Sequence, residues 1–361
     1  MVYRLLGTVF PVRAKSVPPR RIAFIRPCCI GDVVMATAAL TALREAYPEA
    51  HISWVVGEWS ARAIAHHSTI DDLVIAQADM PLRSPVSFWR FLRQLRAGNY
   101  DCAVSLVRSP LMSLAICLAG IPFRAGLDSG GRGFGYNLRV AIDPDEPAHE
   151  SEIYLKVVSA LAGRELHAVA NLPVRAETRE YIRATLETVQ VAAPFIVAHP
   201  GGGVNPGMRF ESKRFPLLRF AELVNRVAEA KGAGVVLLGG PDDGDLVAEV
   251  ARHLAAPWHS WVDKLTFAEI GALAAEALLY IGNDTGLTHL AAASGAKTVM
   301  LMGPTDPRRY GPYTRDSMVV WIPSDVGSRG VAEGPTEWMG RQDIGPQVAV
   351  AVKEILDFLD K

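Results

Sequence analysis

The chain has 361 residues, a formal net charge of −1, 50% hydrophobic residues and 21% charged ones. That length exceeds one comfortable core and predicts two domains, while the near-zero charge excludes bulk attraction to nucleic acid. Cys28, Cys29, Cys102 and Cys117 make no metal-binding spacing and fit a reduced cytosolic compartment, and no apolar run reaches the ~18–20 residues that span a bilayer.

Residues 1–20 form a basic N-terminal tail, with Arg4, Arg13, Lys15 and Arg20, no acid, and apolar residues between them. Two readings stay open for it: a flexible tail, or peripheral contact with an anionic membrane surface. From Arg21 onward strands and helices alternate. Strands are predicted at 22–25, 51–56, 73–75 and 102–106. Helices lie between them: one through Val33, Leu40 and Leu43, one near 59–66, and an amphipathic one carrying Phe88, Phe91, Leu92 and Leu95. Residues 111–123 read as a buried helix and 151–161 as another.

The pattern then starts over. Strands are expected at 195–199, 234–238, 277–281 and 297–302, with helices at 215–230, 242–254 and 267–275 and one opening near Gly286. A stretch from 164 to 194, containing a helix at 177–188, is the expected linker region. This predicts an N-terminal domain over 21–175 and a C-terminal one over 176–361, with the last helix (348–359) a candidate to pack back on the first. Strands separated by helices mean parallel sheets covered on both faces. The fold class is therefore α/β, two doubly wound, Rossmann-like domains.

Ligands of such sheets bind beyond the carboxyl ends of the strands. Three polar loops sit there. "RPCCIGD" puts Asp32 at a strand-to-helix turn, as a helix cap or as a general base. "HPGGGVNPGMRFESKRFP" brings Gly201, Gly202 and Gly203, whose backbone can approach phosphate oxygens, and then Lys213 and Arg214, a solvated basic pair or a diphosphate clamp. "GNDTGLTHLAAASG" opens a helix at which Asp284 or Thr285 would cap, and whose N–H groups would suit an anion. Asp242 and Asp243, after "LLGGP", are a capping pair or acceptors for a ribose.

Taken together and in this order, "IRPCCIGDVVMATAALTALREAYPEA", "HPGGG…KRFP", "LLGGPDD" and "GNDTGLTHLAAASGAKTVMLMGPTDPRRYGPY" resemble glycosyltransferase family 9, the ADP-heptose:lipopolysaccharide heptosyltransferases. The resemblance implies a GT-B fold, with two Rossmann-like domains facing across a cleft, acceptor on the first and nucleotide-sugar on the second. It implies that Asp32 is the general base and that Lys213 neutralises the donor diphosphate. Donor binding would fall to Gly201, Gly202, Gly203, Asp242, Asp284, Thr285, Gly286, Leu287 and His289. No metal and no cofactor is implied, the ADP-heptose being a co-substrate. The expected partners are that donor and a glycan or lipid-linked acceptor, met in the cytoplasm or at the inner face of the cytoplasmic membrane. The alternatives are a sugar-nucleotide epimerase of the same fold and a non-catalytic glycan-binding component. Family members commonly carry Ser or Thr where this chain has Cys28 and Cys29. Arg108, Arg124, Arg132 and Arg139 are candidates to read an acceptor.

Overall fold

The computed structural model describes residue 3 and residues 18–76, 84–205, 208–322 and 344–361. Most of the basic tail therefore lies outside the described residues. The chain divides into two compact units, Met1–Ala170 and Asn171–Lys361.

In the first unit the elements are β1 (Arg21–Ile25), α1 (Ile30–Ala46), β2 (His51–Gly57), α2 (Glu58–Ile64), β3 (Asp72–Ala76), α3 (Pro85–Ala97), β4 (Cys102–Ser105), α4 (Pro110–Leu118), β5 (Phe123–Asp128), β6 (Leu138–Ala141) and α5 (Glu150–Ala162). The strands form one six-stranded sheet in the order β3-β2-β1-β4-β5-β6. Every pairing in it is parallel. The central strands are buried on both faces, which is why "IAFI" reads as an unbroken apolar run rather than an alternating one. Helix α1 is almost wholly buried along its length and packs against α5. Ser84 and Ser87 form a reciprocal capping box that starts α3.

The second unit repeats the plan: α6 (Ala176–Thr188), β7 (Phe195–His199), a short hairpin of β8 (Val204–Asn205) and β9 (Met208–Arg209), α7 (Leu217–Lys231), β10 (Gly234–Gly239), α8 (Gly244–Arg252), β11 (Trp258–Val262), α9 (Phe267–Glu276), β12 (Leu279–Asn283), α10 (Gly286–Ala293), β13 (Thr298–Met302), α11 (Pro307–Tyr310), β14 (Ser317–Trp321) and α12 (Gly345–Leu359). Its main sheet runs β11-β10-β7-β12-β13-β14, again six parallel strands. With β7 counted as first, this is the strand order of the first unit.

Two expectations are corrected. The division falls after Ala170, ahead of the 175/176 boundary, because Leu172 already donates its N–H to the Ala293 carbonyl of the second unit. The last helix belongs to the second unit: Val348, Ala351, Val352 and Ile355 of α12 complete the core around Phe220, Val224 and Val320. Four strands of the two main sheets also escaped the sequence reading (β5, β6, β11 and β14), three of them sheet edges with polar or basic residues in the run.

Because Ile355 is fully buried in that core, Ile355→Ala should destabilise the second unit by about 2–5 kcal/mol. Urea denaturation checks this, and a loss under about 0.5 kcal/mol would contradict the placement of α12 in the core.

Candidate active site

In the first sheet β1 and β4 are neighbours although far apart in sequence. The loops beyond their carboxyl ends meet where the strand order reverses, the place where such sheets take ligands. Asp32 stands there in the first turn of α1. It is not the cap. The cap position is Cys29, at φ 68° and with no side-chain capping bond. Asp32 instead pairs with Arg26, Oδ2 lying 2.6 Å from Nη2, and its side chain keeps 22% exposure.

Tyr154 donates its hydroxyl to Oδ1 of Asp32 at 3.3 Å. Burial pushes that phenol well above its ordinary range, so it stays a donor. Arg26 lies over the Tyr154 ring, 5.4 Å from its centre, and also donates to the Leu106 carbonyl. Beyond it Arg108 donates to both carboxylate oxygens of Glu150 at 2.7 Å. Glu150 is only 1% exposed, so its charge is tolerable there only because it is paired. Glu150 and Tyr154, four apart on α5, were absent from the sequence reading. Their signal was two polar residues at helical spacing on an otherwise apolar helix face.

The Cys28 and Cys29 sulfurs are 2.8 Å apart, and neither cysteine is in a disulfide. The hydrogen bond with Cys28, then burial, then the Asp32 charge push the Cys29 thiol up, which keeps it neutral. Of the four candidate arginines, Arg108 lies at this cluster and Arg132 is exposed. Arg124 and Arg139 are corrected: they donate to the carbonyls of Ile121, Gly135, Phe134 and Tyr136 and brace their own loop.

In the second unit the equivalent reversal lies between β7 and β12. Asn283, fully buried at the end of β12, ties three segments together there. Its amide nitrogen donates to the carbonyls of Pro200 and Gly201, and its oxygen accepts from the backbone of Phe215. The glycine loop and the basic pair are thereby fixed to one strand end. Gly202 and Gly203 have φ 94° and 78°, backbone that side chains resist. A Cβ on Gly201 would strike Asp243, on Gly202 Thr285, and on Gly203 the Phe210 carbonyl.

Lys213, at the end of a 3₁₀ turn (Glu211–Lys213), reaches Asp284 with Nζ 2.7 Å from Oδ2. Thr305 donates to the same oxygen. Asp284 is 5% exposed. Burial works against its charge, but Lys213, His289 and the hydrogen bonds from Lys213 and Thr305 outweigh it and hold the carboxyl below its ordinary range. Neither expected cap forms: Asp284 is engaged with Lys213, and Thr285, at the cap position of α10, makes no side-chain capping bond. The N–H groups of Gly286 and Leu287 thus open α10 with no side chain across them, and both residues are half-exposed. His289 is buried one turn further on.

Arg214 points elsewhere, donating to the Gly202 carbonyl at 2.9 Å and facing Asp243 at 3.9 Å. Asp242 is exposed, whereas Asp243 is buried and accepts from the N–H groups of Gly240 and Gly202. Of that acidic pair it is Asp243 that the fold directs at the glycine loop. Against its burial, the facing His199 and those two N–H groups bring its pKa down to about 2. Among the described residues no group of three or more His, Cys, Asp or Glu is arranged to hold a metal ion.

The sequence model of glycosyltransferase family 9 (heptosyltransferase) matches residues 88–329. Lipopolysaccharide heptosyltransferase 3 of Escherichia coli is 24% identical over 298 residues, covering 81% of this chain and 86% of that protein. The solved glycosyltransferase of family 9 from Veillonella parvula superposes with a TM-score of 0.75 at 20% identity, over 94% of this chain and 97% of that one. The E. coli ADP-heptose lps heptosyltransferase II does so with a TM-score of 0.72 at 22% identity, over 94% and 98%. At such identity the two structures establish the fold, which is the α/β GT-B class.

Asn283→Ala would remove the hydrogen bonds to the Phe215 N–H and to the Pro200 and Gly201 carbonyls, at about 1–3 kcal/mol for each buried group left unsatisfied. The variant should lose that stability in chemical denaturation, and with it the order of both loops. Stability equal to wild type would mean the amide is not what holds them.

Proposed function

The chain belongs to glycosyltransferase family 9 (heptosyltransferase), and from that premise we propose the reaction it performs. It moves a heptose, or a related sugar, from an ADP-linked donor to a lipopolysaccharide core or another glycan, inverting the anomeric carbon. One observation carries this reading: a lysine ammonium is held 2.7 Å from a buried carboxylate beside a glycine loop and an uncapped helix start. Cation, backbone N–H groups and helix dipole together make a prebuilt place for a diphosphate. The likeness to the E. coli ADP-heptose lps heptosyltransferase II supports the choice of nucleotide.

An acceptor hydroxyl attacks the anomeric carbon, its oxygen forming the new bond as the bond to the donor phosphate breaks. Asp32 takes the hydroxyl proton. Arg26 and Tyr154 orient the carboxylate, and its remaining exposure leaves oxygen lone pairs for the acceptor. The departing ADP gains charge, which Lys213 and the N–H groups opening α10 stabilise. Asp284 fixes the lysine before the donor arrives, so little reorganisation is needed as charge develops. This scheme runs without a divalent ion. Reaction at the inner face of the membrane, with the basic tail on anionic lipid, completes the proposal.

Asp32→Asn should lower turnover by a factor of about 10²–10⁴ while leaving ADP affinity near wild type. Retention of wild-type kcat with a competent acceptor would remove Asp32 from the reaction. With EDTA present throughout, Lys213→Ala should reduce kcat as well as donor affinity, together by about 2–4 kcal/mol in kcat/KM. Arg214→Ala should act mainly on donor KM, through the Gly202 carbonyl it holds. Wild-type activity abolished by EDTA, or a silent Lys213→Ala, would refute the lysine-based account.

A further inference from the structure

Beneath the glycine loop lies a histidine to which the reaction above gives no role. His199 ends β7 at the strand reversal and is 1% exposed. Both its ring nitrogens are buried without a hydrogen-bond partner. A buried imidazole with neither nitrogen satisfied is rare, because each unmade hydrogen bond forfeits the solvation it had in water. On the neighbouring strand Gly282 of β12 pairs with His199 in register.

The imidazole is aimed at the donor loop from below. Its Nε2 is 3.6 Å from Oδ2 of Asp243, just beyond a full hydrogen bond. Asp243 in turn accepts the Gly202 N–H at 3.3 Å and the Gly240 N–H at 2.9 Å, and the Arg214 guanidinium flanks its other oxygen. The Cε1 of His199 would be 3.3 Å from a Cβ on Gly202. The Gly201 to Gly203 turn therefore rests on an imidazole–carboxylate pair one short movement from closing.

We propose that His199 is a positioning residue for the donor loop. Its Nε2–H closes on Asp243 as a nucleoside diphosphate settles on the glycines, and Asp243 passes the constraint to the Gly202 N–H. Donor affinity is thereby set partly from beneath the loop, by a group that touches no substrate. This rests on the reading of the second unit as the donor site.

The test is ADP binding by calorimetry, with donor kinetics alongside, on full-length wild type and the His199→Phe, His199→Gln and His199→Asn variants. Gln places its amide nitrogen where Nε2 lies and Asn does not reach it. Phe and Asn should weaken ADP and raise donor KM about tenfold or more, the worth of one hydrogen bond to a charged group. Gln should stay within a few-fold of wild type, and kcat should change little in all three. In an Asp243→Asn background the Phe and Gln variants should become alike, since the partner they distinguish is gone. The proposal is overturned if Phe binds ADP as wild type does, if Gln is no better than Asn, or if the loss falls on kcat. Should wild type bind no ADP at all, the donor reading fails and this inference falls with it. The Gln and Asn comparison holds even where Phe impairs folding.

Discussion

The second unit is organised around one buried amide. Asn283 uses both of its hydrogens and its oxygen on backbone from two different loops, at the end of a central strand. In a buried setting such a group is worth most when every bond is made and costs most when one is lost. Everything proposed for donor chemistry lies within a few residues of those contacts: the glycine turn on one side, Lys213 and Arg214 on the other. The amide converts two loops, which alone would sample many conformations, into one surface fixed to a sheet.

Both units solve the same electrostatic problem by the same means. A carboxylate needed at a strand end is held by a cation from a nearby loop: Arg26 for Asp32, Lys213 for Asp284. The difference in burial separates their uses. In the proposed reaction the partly exposed Asp32 has lone pairs for an incoming group, whereas Asp284, with both Lys213 and Thr305 on one oxygen, orients its lysine. An arginine also suits the first site better than a lysine would, since its fork serves Asp32 and the Leu106 carbonyl while its plane lies over Tyr154.

Much of the architecture was legible because central strands buried on both faces are unbroken apolar runs and crossover helices carry helical spacing. Edge strands were not: "LRVA" and "WHSWV" mix apolar residues with bulky polar ones, since only part of each strand is covered. The site was legible in its loops but not in its pairings. Asp32 read as a cap or a general base, because a carboxylate at a strand-to-helix turn can serve as either. Its actual partner Arg26 lies six residues earlier, and nothing in local spacing marks the pair. Tyr154 and Glu150 come from a helix more than a hundred residues further on, a distance only the fold can close. Asp242 and Asp243 are alike in sequence, and the turn at Gly240 alone decides which of them faces inward.

The glycine turn has a consequence for how the protein can tell ligands apart. At each of its three positions a side chain would meet protein, whether Asp243, Thr285 or the Phe210 carbonyl, before it met anything bound above. The turn can therefore offer a ligand only amide groups, which respond to charge and to close approach. It has no vocabulary for distinguishing one base or one sugar from another. Any change of donor identity in a descendant of this chain has to be written in the segments around the turn, while the turn itself stays silent and unchanged.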